Sequence, residues 1–208
     1  MQHRAKIQFS ELEQSLMRNA EWILTKNAIM EKMKWLLQDC QDEQAALFSN
    51  MHSSLPAEIF ITSAKISKGE NYDGLPWLML DYPRHFEKEN SFAIRTLFWW
   101  GNFFSVTLHL SGKYKEQYAA NIISQYDTLN QNDFYLCVNN TEWEHHFEKT
   151  NYIPVNKTDI DAFLQIINEK NFIKLSVKID LYQWENLPEQ VVSITKTIME
   201  MLDQLPRR

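Results

Sequence analysis

The fold is decided by residues 92–111, which read FAIRTLFWWGNFFSVTLHLS. Two runs rich in aromatic and β-branched residues flank Gly101 and Asn102, and this dipeptide is a strong signal for a two-residue β-hairpin turn. A two-residue loop would place Trp100 opposite Phe103 and would fix every other facing pair on the two strands. The stretch therefore predicts an antiparallel hairpin at the centre of the fold.

Because side chains alternate across a strand, this pairing sorts the hairpin residues onto two faces. The first face is apolar apart from one arginine and consists of Ala93, Arg95, Leu97, Trp99, Phe104, Val106, Leu108 and Leu110. The second face mixes apolar and aromatic residues with hydroxyl groups and one imidazole, and it consists of Phe92, Ile94, Thr96, Phe98, Trp100, Phe103, Ser105, Thr107, His109 and Ser111. This mixture is typical of a small-molecule pocket, although a partly hydrated packing layer under a helix has it too.

An amphipathic helical pattern runs from residue 9 to about residue 48, with Ser10 as its N-cap and Glu13 at the capping-box position. We expect one long helix, or two in line, packed on the sheet rather than in a dimeric coiled coil. The apolar residues that recur every seventh position are Phe9, Leu16, Ile23, Met30 and Leu37.

Shorter patterns predict the other elements. Besides the hairpin, we expect strands over 58–67, 75–82, 133–138 and 172–182, a turn over 68–74, and helices over 112–126, over 158–167 and from 188 onward. Residues 53–56 end the first helical part, and 139–157 lack a clear period and are expected to form a loop over the structure. The chain therefore predicts an α+β fold with one mainly antiparallel sheet, made of a four-strand meander plus two later strands. A long N-terminal helix and further helices would pack on its apolar face.

The length of 208 residues fits a single α+β domain over 1–208. Within it we expect an N-terminal helical segment over 1–50, the antiparallel meander over 56–111, and helices with two strands over 112–208.

Charge and composition argue against several classes of function. The net charge is −6 without a block of Lys or Arg, so we expect no nucleic-acid-binding face. No stretch reaches about 18 consecutive apolar residues, so we expect no membrane span, and residues 1–6 lead into an amphipathic pattern rather than a signal peptide. Two isolated cysteines, Cys40 and Cys137, favour a reducing compartment, and we expect a cytoplasmic protein.

The sequence lacks the common cofactor motifs. It has no glycine fingerprint of a dinucleotide site, no phosphate-binding glycine loop and no Cys-x-x-Cys pair. Residues 142–148, which read EWEHHFE, offer side chains that bind metals. However, the adjacent His145 and His146 would point apart in regular structure, and no second cluster completes a coordination shell. We therefore expect neither a cofactor nor a metal.

Arg95 is the strongest candidate for a functional residue. It lies on the otherwise apolar face of the hairpin, where an unpaired guanidinium would be costly, so it needs an anion. Asp81, at the end of the preceding strand, is one source, and the pair would then fix the register of the strands. The other source is a ligand, which suits the planar, bidentate guanidinium.

Two further places carry groups suited to acid–base chemistry. Residues 81–85 read DYPRH and follow a strand, where loops often hold functional groups. His109 shares its face with hydroxyl groups and is the best-placed proton carrier, although those hydroxyls would equally satisfy a structural imidazole. His109, Asp81 and Tyr82 are thus the catalytic candidates, and the sequence does not decide whether the protein is an enzyme.

Our leading hypothesis is an aromatic-walled pocket on the second face of the hairpin that binds a small amphipathic or anionic molecule. The ligand-binding candidates are Arg84, Arg95, Thr96, Phe98, Trp100, Phe103, Thr107 and His109. The alternative is a non-catalytic interaction or structural protein that uses exposed aromatic residues or the N-terminal helix as a contact surface, including in a homodimer.

Overall fold

The computed structural model of the protein describes residues 7–50 and 55–203, and these form an α+β fold around one antiparallel sheet. The fold class and the four-strand meander predicted from the sequence are confirmed, and one short strand, β6, is added to them. The seven strands lie in the order β1-β2-β3-β4-β7-β5-β6 and are β1 Lys65–Tyr72, β2 Leu75–Phe86, β3 Ser91–Trp99, β4 Phe103–Ser111, β5 Tyr135–Cys137, β6 Tyr152–Pro154 and β7 Phe172–Ile179.

The helices are α1 Glu11–Arg18, α2 Ala20–Asn50, α3 Lys113–Ser124, α4 Tyr126–Gln131, α5 Ile160–Glu169 and α6 Leu187–Asp203, with short 3-10 helices at Ala57–Phe60, Val155–Lys157 and Leu181–Asn186. The predicted capping box of Ser10 and Glu13 is confirmed. The N-terminal pattern forms two helices because Asn19 adopts an extended backbone, and its side-chain oxygen accepts a hydrogen bond from the Trp22 N–H at 3.3 Å. The expectations for residues 1–6 and 53–54 lie outside the described residues.

The register of the central hairpin differs from the prediction by one residue. Trp99 lies opposite Phe103, so the loop holds three residues, 100–102, rather than two. The glycine at its centre has a φ of +71°, which suits glycine. The first loop residue, Trp100, leaves the β3–β4 ladder, and its N–H donates to the carbonyl of Pro76 on β2 at 3.0 Å. A shift of one residue moves every side chain of a strand to the other face, so the predicted faces are wrong for β4.

The observed register separates two chemically different faces of the sheet. The face that we call the apolar face lies against α2, α3 and α6 and includes Leu78, Leu80, Phe92, Ile94, Thr96, Phe98, Phe104, Val106, Leu108 and Leu110. The opposite face, which we call the polar face, includes Asp81, Arg95, Thr107, His109, Lys174 and Ser176. Thr96 and Phe98, expected beside Thr107 and His109, therefore lie in the core instead.

The boundaries of the first two strands also differ from the prediction. A 3-10 helix occupies the start of the predicted strand 58–67, and β1 continues through most of the predicted turn to Tyr72. Gly69 remains within the strand with the ring of Trp77 directly over it, where a Cβ atom would lie 2.4 Å from the indole nitrogen. β2 passes Pro83 because the ladder shifts register between Asp81 and Arg84, and such irregularities accommodate a residue without an N–H donor.

We predict opposite stability effects for two threonine-to-valine substitutions on β3 and β4. The Thr96 hydroxyl is buried on the apolar face and has no hydrogen-bond partner within residues 7–50 and 55–203, so Thr96→Val should raise the free energy of unfolding by about 1 kcal/mol. The Thr107 hydroxyl lies 2.7 Å from that of Ser176, so Thr107→Val should lower it by about 1 kcal/mol. Urea denaturation measures both, and changes of the same sign would contradict the register.

Candidate functional site

The candidate site lies on the polar face, beneath residues 139–151, which we call the cover loop. The strand register assembles the polar side chains of this face. Arg95 on β3 is paired with Asp81 on β2 and with Thr107 on β4, and His109 on β4 is paired with Lys174 on β7. Four neighbouring strands thus contribute polar groups to one surface.

Arg95 and Asp81 form an ion pair, which is one of the two alternatives that the sequence left open for Arg95. The Arg95 Nε donates to Asp81 Oδ1 at 2.7 Å, and Nη2 lies 3.5 Å from Oδ2. The third nitrogen, Nη1, is buried and has no hydrogen-bond partner in the described part of the chain. The guanidinium carbon lies 5.5 Å from the centre of the Phe86 ring and 5.8 Å from that of the Trp143 ring. Asp81 therefore balances the charge of Arg95 but leaves one of its donor nitrogens unused.

The cover loop has no helix or strand within it, and side chains from the sheet hold it in place. The most connected of these is Tyr72, at the end of β1. Its hydroxyl oxygen accepts from the backbone N–H groups of His145 and His146 at 2.7 and 3.1 Å and donates to Glu144 Oε2 at 2.9 Å. Burial is the main reason that the pKa of Tyr72 is raised to about 12, so the hydroxyl stays protonated at neutral pH.

Lys174 provides a second anchor from β7. Its side chain is fully buried, and Nζ donates to the backbone carbonyl of Glu144 at 2.7 Å. Burial lowers the pKa of this amine to about 8, since the charged form loses its hydration. The amine lies 5.4 Å from the centre of the Tyr152 ring, which offers it a cation–π contact.

His109 provides a third anchor, through the carboxylate of Glu142. The distance between His109 Nε2 and Glu142 Oε2 is 2.9 Å, and this hydrogen bond lowers the pKa of Glu142. Burial lowers the pKa of His109, so we assign a neutral imidazole that donates through Nε2 to an ionised carboxylate. Its Nδ1 is buried and has no hydrogen-bond partner in residues 7–50 and 55–203. Because the side chain is fully buried, His109 has no direct route to a substrate in solution.

A pocket of about 330 Å³ lies between the cover loop and strands β1 to β3. Its walls are mainly aromatic and apolar. Arg95, whose Nη1 has no hydrogen-bond partner among the described residues, is one of the residues that form them. The pKa of His145, another wall residue, is well below its ordinary value because the ring is buried, so the imidazole is neutral. The lining residues are Ser67, Asn71, Tyr72, Trp77, Met79, Arg95, Leu97, Trp143 and His145.

A larger groove of about 610 Å³ shares Trp143 with this pocket. Its walls carry Lys88 and Lys115 beside Glu89, Glu116 and Glu142. These charges are of both signs, and most of the side chains are exposed to water. We therefore take the smaller pocket as the better candidate, since apolar walls with a few directed polar groups distinguish ligand sites from hydrated grooves.

The structure brings together only part of the predicted set. Of the ligand-binding candidates, Arg95 lines the pocket, while Phe103, Thr107 and His109 lie elsewhere on the polar face. The other four ligand-binding candidates lie away from the pocket. Thr96 and Phe98 lie in the core, Trp100 lies in the hairpin loop beside α2, and Arg84 donates to the carbonyl of Ser63 at 2.8 Å. The two catalytic candidates of residues 81–85 are also apart, because Asp81 pairs with Arg95 while Tyr82 packs against Phe48 of α2.

Sequence reasoning missed the residues that the cover loop and β1 contribute to the site. The acidic and histidine-rich stretch 142–148 contributes Trp143 and His145 to the pocket. The described residues contain no group of three or more His, Cys, Asp or Glu side chains placed to hold a metal ion. None of the helices in this part of the chain combines the length and the hydrophobicity of a membrane-spanning segment.

Comparisons with protein-family models, with curated proteins and with solved structures gave no match. The function proposed below therefore rests on the geometry of the polar face.

We predict that Tyr72→Phe will loosen the cover loop. The substitution leaves the N–H groups of His145 and His146 without their acceptor and removes the donor to Glu144, so the free energy of unfolding should fall by about 2 kcal/mol. Hydrogen exchange read by NMR should show faster exchange at the amides of residues 145 and 146. A matched control is Tyr182→Phe, whose ring is almost fully exposed and which should change neither quantity. Unchanged exchange in Tyr72→Phe would contradict the anchoring role.

Proposed function

We propose that the pocket beneath the cover loop binds a small amphipathic molecule that combines a flat apolar body with a neutral hydrogen-bond-accepting oxygen. The observation that carries the proposal is Arg95, whose buried Nη1 has no partner among the described residues and which lines a pocket whose other walls are largely aromatic. An unpaired buried donor is costly, and a ligand oxygen that a small shift of the Arg95 side chain brings within hydrogen-bond distance of Nη1 would remove that cost.

The apolar body of the ligand would lie against the side chains of Trp77, Met79 and Leu97, with Trp143 above it. Gly69 supports this arrangement, because it lets the Trp77 ring lie directly on the backbone of β1. The volume of about 330 Å³ lies at the small end of the range of ligand pockets, which favours a compact molecule with one or two rings.

The charges of the site favour a neutral acceptor over an anion. Two cationic side chains, Arg95 and Lys174, are accompanied by three carboxylates, those of Asp81, Glu142 and Glu144. A carboxylate or phosphate ligand would enter a region without excess positive charge and would lie close to Asp81. A carboxamide or ketone oxygen accepts the same hydrogen bond without that repulsion. The proposal is one of binding and includes no chemical step.

The test is a fragment screen of the full chain by ligand-observed NMR, with indole-3-carboxamide, indole-3-carboxylate and indole as a matched series inside the library. We expect the hits to be aromatic compounds with a neutral oxygen acceptor, and the carboxamide to bind more tightly than the other two members of the series. Trp143→Ala should weaken binding about tenfold by removing one wall. Ser67→Trp should abolish binding by filling the pocket.

The matched control is Trp35→Ala, because Trp35 on α2 is 59% exposed and Trp143 is 53% exposed, while only Trp143 lines the pocket. Binding should be unchanged in this control. A library without hits, or hits that bind Ser67→Trp as well as the wild type, would overturn the proposal.

A further inference from the structure

A carboxylate lies next to the boundary between the pocket and the larger groove. Glu142 lines the groove, and the next residue, Trp143, lines both the groove and the pocket. The Glu142 side chain is 23% exposed, so its carboxylate is largely shielded but still reaches the solvent in the groove. A ligand group that extends from the pocket past Trp143 therefore enters the space that this carboxylate lines.

The charge of Glu142 is not balanced by a cation of the protein. Its Oε2 is 2.9 Å from Nε2 of His109, and burial lowers the pKa of that imidazole, so the partner is neutral. The carboxyl group itself is ionised, because the hydrogen bond with His109 lowers its pKa. Glu142 forms no salt bridge with a lysine or arginine in residues 7–50 and 55–203, whereas Asp81 pairs with Arg95. The hydrogen bond with His109 uses Oε2 and leaves Oε1 available to another donor.

The other charges of the groove also favour a cation there. Its walls carry one carboxylate more than amines, namely those of Glu89, Glu116 and Glu142 against those of Lys88 and Lys115. The Lys115 amine already donates to the backbone carbonyl of Lys170. Glu89, Glu116 and Lys88 are exposed, so water and salt screen their charges, and Glu142 is the carboxylate that is screened least.

Trp143 adds a second group that attracts cations. Its indole is the aromatic ring that binds cations best, and the residue is 53% exposed. An ammonium group in the groove beside Trp143 would donate a charge-assisted hydrogen bond to Glu142 and lie near the indole ring. A hydroxyl group at the same place would gain much less from either contact.

We propose that the ligand of the pocket also carries a protonated amine, which extends past Trp143 into the groove and donates to Glu142. This inference rests on the proposed function, since the aromatic body in the pocket is what positions the amine. The ligand class is then a compact aromatic amide or ketone with an amine on a short chain, and Glu142 is the residue that selects the amine.

The test measures the affinity of the full chain for indole-3-carboxamides whose amide nitrogen carries an aminoalkyl chain of two, three or four carbons. Each amine is compared with the hydroxyalkyl amide of the same length, so the two members of a pair differ only in the terminal group. For the best chain length, we expect the amine to bind at least about tenfold more tightly than the alcohol by isothermal titration calorimetry. This advantage should shrink as the salt concentration rises.

Glu142→Gln should remove the advantage of the amine and leave the Kd of the alcohol unchanged. The glutamine side-chain oxygen can still accept the hydrogen bond from His109, so the variant loses the charge but keeps the anchor of the cover loop. The matched control is Glu148→Gln, which makes the same change of charge at an exposed position of the cover loop outside the walls of the groove. The control should retain the full advantage of the amine.

The outcomes separate this inference from the proposed function. If indole-3-carboxamide binds but no amine binds more tightly than its alcohol, the inference is overturned and the pocket proposal stands. An advantage of the amine that persists in Glu142→Gln would also overturn the inference, because the amine would then be bound elsewhere. If none of the indole amides binds, the proposed function fails, and this inference fails with it.

Discussion

The buried ion pair between Arg95 and Asp81 is the interaction on which the polar face depends. A charge of either sign buried there alone would cost several kcal/mol, so the two strands must meet with these residues opposite each other. That constraint places Thr107 and Lys174 on the same face, because the next strands continue the ladder from β3. The face that results carries these buried polar groups beside an apolar cluster that includes Met79, Leu97 and Trp99. It is covered by a loop that carries its own hydrogen-bonding groups.

The cover loop illustrates how irregular structure can be held without strands or helices. Two of its backbone N–H groups are bound by Tyr72, the carbonyl of Glu144 is bound by Lys174, and the carboxylate of Glu142 is paired with His109. These anchors come from strands at both sides of the sheet, so the loop spans the polar face and leaves a pocket beneath one edge. The pocket lies where the loop meets the aromatic and apolar side chains of β1 to β3.

Periodicity predicted the α+β class, the meander and the main helices because each depends on local alternation of apolar and polar residues. Asp81 was one of the two anions that the sequence allowed for Arg95, because a buried guanidinium needs a counter-charge, and the other was a ligand. The faces of β4 were not, because the dipeptide Gly101-Asn102 indicates a turn without determining whether Trp100 belongs to the strand or the loop. The pocket could not be predicted either. Tyr72 and His145 are distant in sequence, and no local pattern brings them together.

A double-mutant cycle of Arg95→Met and Asp81→Asn, measured by urea denaturation, tests whether this ion pair organises the polar face. If the pair organises the polar face, each single variant should lose about 3–5 kcal/mol of the free energy of unfolding, because it leaves one charge buried alone. The double variant should lose far less than the sum of the two, with a coupling energy of at least about 2 kcal/mol. Additive losses would mean that the two charges act independently of each other and that the pair does not organise the polar face.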